Sequence, residues 1–329
     1  MKKRTRRVLA TFFGLILFGV AVFVLYHDIR NYNFHKVLAY IQGFPIHRLI
    51  LAFVFMVLDY WVLTGYDTLA VHYIGRKLKY RRVAFASFIG YAFSHNMGTP
   101  ALSGGAARLR VYKSWGLSTM EITQIVAFCT LTFYLGFFAM GGTVFLFEPL
   151  PLPKDLRLPW VTVRPLGIIF LFLLAAVTVA VFILRRPIHN YKWTIPRLSP
   201  RVFGLQLLVA LGDWLLASSV LNALLPPSKH IAYYNFLGVF LLAQITGLAS
   251  QVPGGLGVFE TVIWFLLKSS FPPSALLTSL LVFRGIYYLV PFFAGAIMLG
   301  VHELTAKRRR RKRRALPSGG KPRDGGRAG

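Results

Sequence analysis

The chain has 329 residues, 56% of them hydrophobic, with a mean hydropathy of +0.58 and a formal charge of +28 from 38 Lys and Arg against 10 Asp and Glu. A soluble domain of this length does not combine those values. The basic residues cluster beside long apolar runs, which points to a membrane surface rather than to nucleic acid.

The first apolar run, 8–26, follows the basic start Met1-Lys2-Lys3-Arg4-Thr5-Arg6-Arg7. It is longer than a secretory h-region and ends in Tyr26-His27-Asp28 without a small-x-small cleavage site, so it is expected to stay as an anchor. Runs at 48–70, 119–147, 165–184, 202–225 and 276–301 are each near the roughly 20 residues that span a bilayer, which makes six predicted spans. Ser118-Thr119-Met120-Glu121 is a capping box for the helix starting at 119. The only cysteine, Cys129, falls inside an apolar run, so no disulfide framework, metal site or cofactor is expected.

If 1–7, 75–82, 108–113, 185–201 and 307–314 are cytoplasmic, they hold 26 basic residues against 8 in the external segments and span ends. The positive-inside rule favours that orientation, with both termini in the cytoplasm of a bacterial-type inner membrane. Two stretches then cannot cross. Residues 83–107 lie between two basic loops and should enter from the cytoplasm and return. Residues 233–270, flanked by Pro226-Pro227 and Pro272-Pro273, should enter from outside and return. The alternative makes 83–107 and 233–252 ordinary spans with altered sidedness.

Each returning stretch carries a glycine-punctuated break, Met97-Gly98-Thr99-Pro100-Ala101-Leu102-Ser103-Gly104-Gly105 and Gln251-Val252-Pro253-Gly254-Gly255-Leu256-Gly257. Broken helices survive at membrane depth only where protein or a wet cavity satisfies the backbone. A matched pair in corresponding halves points to the binding site of an inverted-repeat transporter. The predicted fold is therefore all-α and polytopic, with six spans and two re-entrant helical hairpins in an inverted repeat. Its halves cover about 1–150 and 151–303, and 304–329 is expected to be a disordered, basic cytoplasmic tail that attracts anionic lipid.

Ionisable residues inside apolar segments are site candidates. Arg284 lies in the last run and needs a partner; Glu260, just after Gly257 at the start of a returning helix, is the proposed one. The pair either locks the second hairpin or serves transport. Arg108 follows Gly104, Gly105, Ala106 and Ala107, so it is expected near the cytoplasmic mouth of the first hairpin, either as a seat for phosphate or as a positive-inside anchor like Arg110 and Lys113. Asp59 and Asp67 are two turns apart on one helical face and either line the same cavity or neutralise Arg108. Asp213 is placed more weakly. His95-Asn96 reads as the cap of a broken helix, with a proton relay as the alternative.

Enzyme motifs fail. Ala101-Leu102-Ser103-Gly104 lacks the leading glycine of an intramembrane serine protease, His302-Glu303 lacks the second histidine of a zincin, and no GxGxxG or Walker A sequence occurs.

Ser87-Phe88-Ile89-Gly90-Tyr91-Ala92-Phe93-Ser94-His95-Asn96, Ser103-Gly104-Gly105-Ala106-Ala107-Arg108-Leu109-Arg110-Val111-Tyr112 and Trp115-Gly116-Leu117-Ser118 resemble the membrane flippase domain of lysylphosphatidylglycerol synthetase/flippase proteins. Val252-Pro253-Gly254-Gly255-Leu256-Gly257-Val258-Phe259-Glu260 and Arg284-Gly285-Ile286-Tyr287-Tyr288-Leu289-Val290-Pro291 resemble that domain's second signature and last helix. The resemblance covers nearly all of 8–303. It implies re-entrant hairpins around a lipid-headgroup cavity, with Pro253 and Tyr288 among its residues. It also implies further spans and a soluble aminoacyl-transferring domain in full-length relatives, whereas this sequence ends in a basic tail, so aminoacyl transfer by this polypeptide alone is not expected.

The expected function is movement of a phosphate-containing phospholipid, aminoacylated or not, or of a polyprenyl lipid between leaflets. The partners are anionic membrane lipids, with a homo-oligomer or a lipid synthetase as further candidates and no nucleic acid. The alternatives are a membrane enzyme acting on lipid phosphates and an accessory subunit of phospholipid aminoacylation or envelope lipid assembly.

Overall fold

The computed structural model describes residues 43–96, 100–147, 163–183, 188–190, 193–195, 198–227 and 231–315. The first predicted span, residues 97–99 of the first glycine stretch and residues 316–329 of the tail lie outside the described residues. The other five apolar runs become helices long and apolar enough to cross a membrane. They are α1 (Ile46–Tyr73), α4 (Thr119–Phe147), α5 (Arg164–Ile183), α6 (Pro200–Leu224) and a long final segment made of α9 (Pro273–Phe283), a π turn (Arg284–Leu289) and α10 (Val290–Ala315). The shorter helices between them are α2 (Tyr80–Asn96), α3 (Pro100–Ser114), α7 (Tyr233–Ser250) and α8 (Val258–Leu267). A small antiparallel pair, β1 (Ile188–Asn190) and β2 (Trp193–Ile195), stands between α5 and α6, with Ile188 opposite Ile195.

The molecule has a hydrophobic core with a few buried charges, and its surface also carries stripes of large apolar side chains. On α1 the exposed side chains Ile50, Phe53, Val57 and Trp61 recur every three or four residues, and on α10 Phe293, Ile297, Val301 and Leu304 do the same. Such stripes suit hydrocarbon. Asp59, Asp67, Arg108, Gln206 and Asp213 point the other way and are buried. Between helices, Gln206 Nε2 donates to Thr132 Oγ1 at 2.7 Å, joining α6 to α4. Gly136 of α4 packs against Ala210 of α6, a close backbone approach that small residues permit.

One end of the bundle gathers the basic segments. Arg76 pairs with Glu121 at the start of α4, and Arg110 of α3 reaches Glu303 of α10 at 3.4 Å. Ser114 meets His302 at 2.9 Å, and the Arg82 guanidinium lies 5.7 Å from the centre of the Trp115 ring. The other end joins Arg48 of α1 to the Leu225 carbonyl at 2.9 Å and Ser279 of α9 to the Leu224 carbonyl at 2.8 Å. The capping box is present: the Ser118 N–H donates to Glu121 and the Glu121 N–H donates back to Ser118 Oγ.

The helices on either side of each glycine stretch pack against each other as a pair. In the first, α3 returns against α2, so that Gly104 lies against Ser94 and the Gly90 carbonyl. In the second, α8 returns against α7 through Gly247 and Gly255, where a Cβ on Gly255 would stand 3.2 Å from Gly247 Cα. The two pairs touch each other: a Cβ on Gly254 would lie 3.3 Å from the His95 carbonyl oxygen.

The structure alters one expectation about the chain's end. The helix runs on to Ala315, so residues 304–315, expected to be disordered, are helical. Lys and Arg are good helix formers, and cations at a helix C-terminus complement its dipole.

Candidate functional site

The second break is built by left-handed backbone. Gln251, Gly254, Gly255 and Gly257 have φ of 55°, 61°, 61° and 79°, a region where glycine has no steric penalty. A run of this kind exposes carbonyls and N–H groups that membrane depth cannot leave unpaired. Arg284 Nη1 donates to the Gly254 carbonyl at 2.6 Å, and Arg284 Nε binds the Glu260 carboxylate. The other oxygen of Glu260 accepts from the Gly257 N–H at 2.8 Å, which caps α8. Glu260 and Arg284 are therefore an ion pair that also closes the helix break.

Arg284 stands at the start of the π turn, which ends at Leu289, two residues before Pro291. A proline lacks the N–H that would continue the helix and clashes with the carbonyl four residues earlier; the wider turn at 284–289, with the Val290 N–H on the Gly285 carbonyl, accommodates it. Asn96, the last residue of α2, donates from Nδ2 to the Ala92 carbonyl at 2.9 Å and to the Tyr288 carbonyl at 3.1 Å. The end of the first hairpin's entering helix is thus tied to the last span. His95 reaches Tyr60 through Nδ1 at 3.3 Å and stacks on Tyr287 at 5.5 Å.

In the first hairpin, Arg108 is only 3% exposed. Its Nε and Nη2 donate to the two oxygens of Asp67 at 2.9 and 2.8 Å, and the Tyr112 hydroxyl donates to Asp67 at 2.9 Å. The guanidinium lies 4.5 Å from the centre of the Tyr91 ring and passes over Gly90, where a Cβ would come within 2.6 Å of Cζ. Arg108 is thus interior, not at a solvent-facing mouth, because α3 turns it inward against the carboxylate of α1. Of the two uses open to Asp59 and Asp67, Asp67 neutralises Arg108, while Asp59 accepts from the Tyr287 hydroxyl at 2.7 Å. Arg284 repeats the pattern, 4.2 Å from the centre of the Tyr288 ring.

The two pairs have opposite composition. In the first, the hairpin supplies the cation and the span the carboxylate; in the second, the hairpin supplies the carboxylate and the span the cation.

A cavity of about 330 Å³ lies between the hairpins. Of the sequence candidates, His95, Arg108, Gly254, Gly255 and Tyr288 line it. Asp67, Glu260 and Arg284 hold those residues from behind. Gly104 serves the close crossing of α2 and α3, whereas a Cβ on Gly105 would meet nothing nearer than Val126 at 3.6 Å. Pro253 opens the short 3₁₀ turn Pro253–Gly255. Sequence reasoning undervalued Asp213 and passed over Gln244, Gln251 and Tyr91, which also line the cavity. Gln251 and Tyr91 lie inside motifs already visible in the sequence, whereas Gln244 carried no local signal. Among the described residues no group of three or more His, Cys, Asp or Glu is placed to hold a metal ion.

The family model for the lysylphosphatidylglycerol synthase transmembrane region matches residues 11–295. The chain is 38% identical over 313 residues to the protein named uncharacterized protein slr0712 of Synechocystis, covering 95% of this chain and 97% of that one. It is 30% identical over 304 residues to the inner membrane protein YbhN of Escherichia coli, covering 91% and 94%. It is 25% identical over 302 residues to the phosphatidylglycerol lysyltransferase of Staphylococcus haemolyticus, covering 91% of this chain but 34% of that enzyme. Together with the long apolar helices, the match over most of its length shows that this multi-pass membrane protein belongs to the lysylphosphatidylglycerol synthase transmembrane region family.

Proposed function

We propose that the chain is a flippase-like transporter that carries a phosphate-bearing lipid between the leaflets of a bacterial-type inner membrane. The headgroup crosses through the cavity while the acyl or prenyl tails stay in hydrocarbon. The observation that carries this reading is the contact of the Gly254 break with the end of α2 at His95, beside one cavity lined by Arg108 and backed by Arg284. Charged groups confined to such a cavity lower the cost of bringing a headgroup through the bilayer. Arg108, oriented by Asp67, attracts the phosphate; Glu260 and Arg284 hold the outer hairpin closed or release it. On this reading 83–107 and 233–270 are re-entrant hairpins of an inverted repeat with six spans, and both termini are cytoplasmic, the side on which basic loops accumulate.

The test uses purified protein in liposomes with a fluorescent phosphatidylglycerol and a quencher confined outside. Protein-dependent loss of inner-leaflet fluorescence is expected. Thr130→Trp, which fills the cavity from α4, should slow it, while Thr143→Trp, farther along the same helix, should not. Lipid movement that is absent, or that ignores the cavity-filling residue, refutes the reading. A second reading, an accessory subunit for a lipid synthetase, draws on the match to a third of a lysyltransferase. Copurification with such an enzyme, without lipid movement by this chain alone, would favour it.

A further inference from the structure

The core carries more negative than positive charge. Arg108 and Arg284, the guanidiniums set into it, are already matched by Asp67 and Glu260. Two carboxyl groups are left over, Asp59 and Asp213, 0% and 5% exposed. Asp59 stands halfway along α1 and Asp213 halfway along α6, the corresponding spans of the two halves. The two carboxyl groups are close enough to interact electrostatically where α1 packs against α6.

Each carboxyl group has one anchored oxygen. Tyr287 donates to Asp59 Oδ2 at 2.7 Å and Tyr66 donates to Asp213 Oδ2 at 2.6 Å. Asp59 Oδ1 is buried with no hydrogen-bond partner among the described residues. Two ionised carboxyl groups offer only acceptors, so their closeness would be bare repulsion in a low-dielectric interior. A proton between them turns the same approach into a hydrogen bond and fills the orphaned site. The other titratable groups facing the pair are Tyr60 and Tyr66 of α1, Tyr91 and His95 of α2, Cys129 of α4, and Tyr287 and Tyr288 of the π turn. Arg108 of α3, a permanent cation, lines the same cavity as Asp213, but its guanidinium is already paired with Asp67. Asp213 also lines the cavity, as does Tyr91, whose buried hydroxyl has no hydrogen-bond partner among the described residues, so the pair can exchange a proton with cavity water.

We propose that Asp59 and Asp213 form a proton-binding site at the centre of the fold, loaded through the cavity when Asp213 takes a proton from hydronium and returns water. The pair joins the central helices of the two halves, so its loading biases how they pack and couples proton entry to hairpin movement. The binding itself is independent of the transport reading; only its coupling to lipid movement rests on that reading.

Infrared spectroscopy of the reconstituted protein tests the binding. A protonated-carboxyl C=O band, shifted in heavy water, is expected at neutral pH. It should fall to background in Asp59→Asn/Asp213→Asn, persist in Glu121→Gln, and remain unchanged when sodium is replaced by choline. A wild-type protein without the band overturns the proposal, as does a band that survives the double substitution or follows sodium. The liposome assay, run with an imposed pH gradient, tests the coupling: lipid movement that ignores the gradient overturns it. A band without any lipid movement leaves the proton site standing and removes the transport reading; lipid movement without a band does the opposite.

Discussion

Asp67 and Arg108 offer the sharpest test of how the first hairpin is held. The carboxylate accepts two hydrogen bonds from the guanidinium fork and one from Tyr112, between 2.8 and 2.9 Å, and a longer one from Cys129 Sγ at 3.7 Å. Asp67 is fully buried and Arg108 nearly so. Bonds to a charged group are each worth about 1.5–3 kcal/mol, but their sum overstates the loss because the survivors relax. Removing one partner of a buried ion pair costs about 3–5 kcal/mol, since it strands the other charge. Asp67→Leu and Arg108→Met should each destabilise by that amount. The double substitution, which removes both charges together, should cost at least about 2 kcal/mol less than the sum, within the range seen for contacting residues. Unfolding in mixed micelles with increasing sodium dodecyl sulfate, followed by circular dichroism, gives the four free energies of the cycle. A single substitution costing under about 1 kcal/mol, or a double equal to the sum of the singles, would show that the pair does not hold the hairpin.

The two glycines of the first signature should behave differently. Gly104→Ala drives a methyl group into Ser94 and to 2.6 Å from the Gly90 carbonyl oxygen, so it should cost about 1–3 kcal/mol as overpacking, measured as a lowered melting temperature in detergent. Gly105→Ala meets only ordinary contact with Val126 and should be neutral or slightly stabilising, by up to about 1 kcal/mol from helix propensity. Orientation is open to labelling: a cysteine in place of Lys268 should react with a membrane-impermeant maleimide added to intact cells, and one in place of Lys113 only after permeabilisation. The reverse pattern would invert the topology.

Much of the architecture was legible in the sequence because it follows from one-dimensional quantities. Apolar run length marked out five helices that the structure contains, from 48–70 to 276–301, since hydrocarbon thickness sets the length of a span. Ser118 and Glu121 marked the start of α4 because a capping box is a local pattern. The glycine spacing marked the second break, where left-handed backbone demands those residues. Glu260 and Arg284 could be matched because each was an isolated charge in apolar surroundings.

Tertiary structure alone decided what the charges touch. Asp59 and Asp67 share a helical face, but only the packing of α3 gives Asp67 the guanidinium and leaves Asp59 to Tyr287. Arg108 was expected near the cytoplasmic mouth of the first hairpin, and only the packing of α3 buries it over Gly90. Asp213 is 154 positions from Asp59 in the chain, and nothing in either neighbourhood announces that they meet. The physical reason is that burial cost compels a charge to find a partner without specifying which one. The choice is made by the helix crossings, and those depend on small residues and side-chain shapes brought together from distant parts of the chain.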